Sequence, residues 1–113
     1  MAPTPGERQR CIQHLNDRLR THLTGGRVVM TVGVQALGDD QRDVLICAVQ
    51  GFSDFTSAND PYGEHDFGRV VVNGQGYFFK IDAYGLDYRY QSPDPADEAV
   101  TARVMTIMRE DEY

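Results

Sequence analysis

The chain has no apolar run near the roughly 18–20 residues that a membrane span requires. Its start, Met1-Ala2-Pro3-Thr4-Pro5-Gly6, has neither a basic segment nor an apolar stretch, so a secretory signal is not expected. Lysine is nearly missing: Lys80 is the only one among eleven bases. The arginines are scattered, so gene base composition accounts for the skew more simply than a need for bidentate pairing. No basic cluster exists to grip a phosphate backbone, so direct nucleic-acid binding is not expected. Cysteine is scarce too, with only Cys11 and Cys47. No CxxC pair and no Cys/His metal spacing occurs. Each falls within a predicted helix beside apolar residues, so both are expected as buried free thiols in a reducing cytoplasm.

Catalytic signatures are equally thin. No serine sits in a GxSxG elbow, and no GxxxxGK[ST] phosphate loop is present. His14 and His22 lie eight apart and do not share a helical turn. Asp39-Asp40 with Asp43 reads more simply as a helix N-terminus than as a calcium site. No metal and no cofactor is expected.

What is present is charge, unevenly placed. The net charge is −6 with a pI near 4.8. Residues 1–35 carry +3, residues 36–68 carry −6, and residues 69–113 carry −3. The middle third alone therefore holds a charge equal to the whole net.

The local patterns predict one domain over residues 1–113, with residues 1–4 disordered and 109–113 an acidic tail. Thr4-Pro5-Gly6-Glu7 starts a helix over 5–23, whose stripe is Ile12, Leu15, Leu19 and Leu23. Gly25-Gly26 end it. Residues 27–35 (RVVMTVGVQ) read as a buried strand. Val44, Leu45, Ala48, Val49 and Phe52 mark a second helix over 39–51. Residues 53–64 form a packed loop. Residues 65–72 and 77–84 flank Asn73-Gly74-Gln75-Gly76 as a β-hairpin. A third strand is expected at 87–90. Asp94 and Pro95 then start a last helix with Val100, Val104, Ile107 and Met108 as its stripe. The order α-β-α-β-β-β-α predicts a two-layer α+β fold, a mainly antiparallel four-stranded sheet with three helices on one face.

Centring the hairpin on Gly74-Gln75 pairs Val72 with Tyr77, Val70 with Phe79, and Arg69 with Lys80. Arg69, Lys80, Asp82 and Arg89 then share the outer face with Phe67, Phe78 and Tyr84. Asp82 would bridge the like charges diagonally, and Arg89 would face Asp82. Charges interleaved with aromatics are typical of interface hot spots.

The densest polar constellation runs from Asn59 to Asp66. Asn59, Pro61, Gly63, His65 and Asp66 are read as a structural loop, with Asp66 on the core side accepting backbone N–H groups of that loop. The enzyme alternative is a small hydrolase or metal-dependent centre built on Asp60, Glu64, His65 and Lys80, with His65 as general base.

Asn59–Gly68 (NDPYGEHDFG), Phe79–Gly85 (FKIDAYG), Ser92–Met108 and the closing Glu112-Tyr113 resemble a family of short bacterial proteins of unknown function, the 3768 family. The resemblance covers about residues 9–113. It implies no activity, cofactor or catalytic residue. As an association, it fits an accessory or anti-defence role on mobile elements.

The leading expectation is a cytoplasmic, non-enzymatic interaction protein. Its surface would comprise Asp39, Asp40, Asp43, Asp60, Glu64, Arg69, Lys80, Asp82 and Arg89. A protein partner with a basic nucleic-acid-binding groove is the natural complement to a −6 segment. An inhibitor of a restriction or CRISPR nuclease fits that description. A homodimer through strand edges or sheet faces is a further option. No membrane association is expected.

Overall fold

A computed structural model describes residues 3–113. Residues 1 and 2 of the segment expected to be disordered lie outside the described residues. Thr4 is the N-cap of helix α1 (Pro5–His22), its hydroxyl accepting from the Glu7 amide at 3.2 Å. Pro5 occupies the first turn, where its missing N–H costs nothing. The helix ends at Leu23, earlier than the Gly25-Gly26 pair. Leu23 adopts the left-handed cap conformation (φ 57°) and donates its amide to the Leu19 carbonyl.

Strand β1 is short, Arg27–Met30. From Thr31 the chain turns into a single helical turn, α2 (Val32–Gln35), rather than continuing as the expected strand to residue 35. The Thr31 carbonyl receives the amides of Val34 and Gln35. The Glu112 carboxylate holds the outside of that turn, accepting from the Thr31 hydroxyl at 2.6 Å and the Gly33 amide at 2.9 Å. Helix α3 (Asp39–Gln50) follows, with Asp39 and Asp40 in its first turn, where the helix dipole favours acids.

Strands β2 (Phe67–Val72), β3 (Gln75–Tyr84) and β4 (Ala102–Arg109) complete one four-stranded sheet in the order β1-β4-β3-β2. β1 and β4 run parallel; the other pairs are antiparallel. Leu19, Val34, Leu45 and Val49 from the helices bury against Val70, Tyr77, Phe79, Ile81, Met105 and Ile107 of the sheet. The fold is α+β, with three helices and a mainly antiparallel four-stranded sheet, as the sequence reading expects.

The C-terminal quarter is placed differently. The residues of the expected last helix form a 3-10 turn, Glu98–Val100, and then β4. Positions 103, 105 and 107 alternate inward there. Val104, Ile107 and Met108 satisfy a helical stripe on paper, but β-branched Val104, Thr106 and Ile107 suit a pleated surface better. β4 fills the slot between β1 and β3, and the chain meets the other edge of β3 only after residues 87–90, at a single bridge from Gln91 to Tyr84. Residues 87–90 form a turn instead, closed by Gly85 N–H to the Tyr90 carbonyl at 2.8 Å. The expected acidic tail folds back as a 3-10 turn, Glu110–Glu112.

The hairpin turn is the two-residue Asn73-Gly74, both left-handed (φ 52° and 78°), a geometry that matches strand twist. Val70 therefore faces Tyr77 and Gly68 faces Phe79. This register differs by two from the expected one, so the faces are unchanged but the partners are not. Arg69 faces Phe78, and Lys80 faces Phe67. The like-charge pair does not form. Val104, not Arg89, lies opposite Asp82. Both cysteines are exposed rather than buried. Cys47 sits on the solvent side of α3, and Cys11 stands beside the apolar stripe of α1 with its thiol on the Ala96 carbonyl at 3.1 Å.

Candidate functional site

Helix α1 carries a polar stripe beside its apolar one. Gln9, Gln13, Asn16 and Arg20 recur at steps of four, three and four, and Asp17 adjoins them. This stripe clamps the NDPYGEHDFG loop. Gln9 Nε2 donates to the Tyr62 carbonyl at 2.5 Å, Gln13 to Gly63 at 2.9 Å, and Asn16 to Glu64 at 2.9 Å. Asp17 holds His65 Nδ1 at 2.9 Å. Arg20, 4% exposed, donates through Nη1 to the carbonyls of Val49, Gln50 and Phe52 and through Nη2 to Asp17.

Within the loop, Asn59 Oδ1 accepts from the Thr56 amide and its Nδ2 donates to the Asp54 carbonyl, both at 2.8 Å. Asp60 is buried and accepts the amides of Glu64 and His65 at 3.1 and 3.2 Å. The acid that collects the loop's N–H groups is thus Asp60, not Asp66. The six-residue span Asp60–His65 curls over its own carboxylate, whereas Asp66 already lies at the sheet, its carbonyl accepting from Ile81. Pro61 and Gly63 shape that curl, with Gly63 at φ 65° and its amide on the Asp60 carbonyl at 3.1 Å. His65, at φ 56°, stacks on Phe55 with centroids 3.9 Å apart. Gly68 lets the Phe79 and Phe52 rings close over the strand: a Cβ there would sit 2.8 Å from Phe52 and nearer still to Phe79.

The acids of residues 36–68 therefore divide. Asp60 is buried, and Glu64 and Asp66 are half-buried, while Asp39, Asp40, Asp43 and Asp54 stay exposed. Asp39 pairs with Arg42 one turn on. Among the described residues no ion pair is formed by Asp40, Asp43 or Asp54. Val44, 55% exposed, lies beside Asp40 and Asp43 on the solvent face of α3.

Glu64, Asp66 and Asp82 line one cleft of about 400 Å³, together with Asn16, Tyr84, Arg103 and apolar Ile12 and Ile81. Burial pushes the Glu64 carboxyl above its ordinary range, and the charges of Asp66 and Asp60 push it further. Burial likewise raises Asp66, with Asp60 and Asp82 adding to it, against its own backbone amide and His65. Arg103, 3% exposed, donates through Nε to Asn16 Oδ1 at 2.8 Å and through Nη2 to the Pro95 carbonyl. Burial draws its guanidinium below the usual value.

Lys80 and Arg69 leave from the other face of the sheet, Lys80 reaching Asp82 of the cleft at 3.6 Å and Arg69 pairing with Glu110 at 2.9 Å. Tyr113 packs edge-on against Phe67 and Phe78. Arg89 is exposed in the 85–90 turn. The four residues of the enzyme alternative are not brought together: Asp60 and His65 lie under α1, Glu64 lines the cleft, and Lys80 leaves from the outer face. Among the described residues, no group of three His, Cys, Asp or Glu side chains is placed to hold a metal. No helix among them is long and apolar enough to cross a membrane.

Sequence reasoning missed the α1 stripe and Arg103. The stripe's spacing was a readable signal. So was Arg103, a lone charge inside the apolar segment Ala102–Met108.

Fold and site together define a small two-layer α+β domain with an acid-rich helix and a polar cleft of mixed charge. The chain belongs to the family described as Protein of unknown function (DUF3768), whose model matches residues 30–112. The loop Asn59–Gly68 falls within the match, and α1 falls outside it. No curated protein and no solved structure matches the chain.

Proposed function

We propose that this is a cytoplasmic, non-enzymatic interaction protein that engages a basic, nucleic-acid-binding groove on a partner through the exposed carboxylates of α3. One observation carries the reading: ion pairs join the outer thirds of the chain, while Asp40, Asp43 and Asp54 of the middle third stay exposed with no ion pair among the described residues. Arg8 reaches Asp94 and Arg18 reaches Glu98, joining the +3 and −3 segments. Asp40 and Asp43 have no such partner among the described residues, and Val44 beside them offers an apolar contact. Unpaired surface charge of one sign steers a complementary partner and selects against others. A restriction or CRISPR-type nuclease complex inhibited by occupation of its groove is the partner class with that chemistry.

The test is affinity capture from the native host with the wild-type chain and with Asp40→Lys/Asp43→Lys, followed by mass spectrometry and competition with duplex DNA. Captured nucleic-acid-binding proteins should be displaced by the DNA and lost with the double variant. Equal capture by a folded double variant would remove α3 as the surface.

A further inference from the structure

We propose that the cleft between α1 and the sheet end formed by β3 and β4 binds a small zwitterion of the basic amino-acid class, such as L-arginine. Its volume of about 400 Å³ lies within the range usual for small-molecule sites. The cleft shares no residue with the α3 surface, so this inference stands apart from the partner reading.

Opposite charges line this one space without touching. Arg103 is almost wholly buried, yet it makes no ion pair among the described residues. Asn16 and the Pro95 carbonyl hold its Nε and Nη2, and its Nη1 has no hydrogen-bond partner among the described residues. Glu64 and Asp66 line the same cleft and also have no ion partner among the described residues. Arg103 is held by Asn16 and the Pro95 carbonyl, and no ion pair joins it to Glu64 or Asp66. The unbonded Nη1 and the two carboxylates are not buried orphans, so they remain open to a dipolar guest that pairs both signs at once.

The guest's carboxylate would take the free Nη1 of Arg103. Its cationic groups would take Glu64 and Asp66. Asp82 already has Lys80 as an ion partner at 3.6 Å. That leaves one guanidinium against two carboxylates, so a guest with two positive charges and one negative completes the balance. Ile12, Ile81 and Pro95 offer apolar wall for an aliphatic stem. Burial raises both carboxyls above their ordinary range, and a cation between them would lower them again.

The experiment is an amide-resonance titration of the full chain with three probes. L-arginine carries all three charges, agmatine lacks the carboxylate, and L-citrulline lacks the guanidinium. L-arginine should shift the amides of Glu64, Asp66, Ala83 and Arg103 at concentrations below about 10 mM, and the other two should bind about tenfold more weakly or worse. Glu64→Gln/Asp66→Asn should weaken L-arginine about tenfold with the spectrum otherwise folded, and Asp40→Lys/Asp43→Lys should leave it unchanged. Agmatine binding as tightly as L-arginine, undiminished binding by the Gln/Asn variant, or no shift with any probe at about 10 mM would each overturn the proposal.

Discussion

Asp94, Glu98, Glu110 and Asp111 each end on an arginine, whereas Asp40, Asp43 and Asp54 end in solvent. The first group belongs to the C-terminal third and is used up in holding the chain together. Two of its pairs reach back to α1, tying the first and last parts of the chain. The middle third meets two fates. Asp60, Glu64 and Asp66 turn inward, where the loop needs an acceptor and the cleft collects the rest. The acids on α3 turn outward and are spent on nothing internal beyond the helix dipole and Arg42. Net charge is thus a poor guide to available charge. The same residue type locks a loop, braces two termini or faces a partner, depending on whether a donor lies within reach.

The sharpest way to break this division is Asp60→Ala. Two half-buried backbone amides would lose their acceptor, at about 1–2 kcal/mol each, so chemical denaturation should report a loss of about 2–4 kcal/mol. A loss under about 0.5 kcal/mol would mean that the loop is held by α1 alone. Next in size, Gly68→Ala forces a Cβ against Phe52 and Phe79, and overpacking of this kind costs about 1–3 kcal/mol. An unchanged denaturation midpoint would show that the rings can withdraw.

Reversing Asp40 and Asp43 should touch stability less, about 0.3–1 kcal/mol for each charge lost from the first turns of α3, while removing capture of the partner. Acid titration of stability separates the two groups by sign. Asp94, Glu98 and Glu112 are held below the ordinary carboxylate range, Asp94 and Glu98 chiefly by arginine and Glu112 chiefly by the Thr31 hydroxyl. Their stabilisation is complete above the unfolded carboxylate range and is lost as pH falls through their lowered folded values. Glu64 and Asp66 are raised, so their burden is full at neutral pH and lifts as pH falls through their folded values. Glu64→Gln should therefore raise the melting temperature slightly at pH 7 and leave it unchanged near pH 3. A fall at pH 7 would show that the ionised form is already satisfied.

The fold class and both faces of the hairpin were legible because alternation over β2 and β3 is unambiguous at a spacing of two. The last strand was not. Val100, Val104, Ile107 and Met108 fit a period of 3.6, and the β-branched residues of this segment together with the slot between β1 and β3 decide against it. The loop's internal chemistry was half legible. Turn residues at Asn59, Pro61 and Gly63 announce a tight bend, but which acid it would curl around depends on where α1 docks. Arg103 and Asn16 meet across 87 positions of sequence, a distance no local pattern spans.

The central claim, that the charge left over by folding is the charge that meets a partner, is tested most directly by two equal charge reversals compared in one capture experiment. One is Asp40→Lys/Asp43→Lys on α3; the other is Glu110→Lys/Asp111→Lys in the C-terminal third. Both change the net charge by the same amount. The account predicts that the α3 variant loses the DNA-displaceable partner and the C-terminal variant keeps it, with both folded by circular dichroism. Equal loss from the two, or loss only from the C-terminal one, would contradict it.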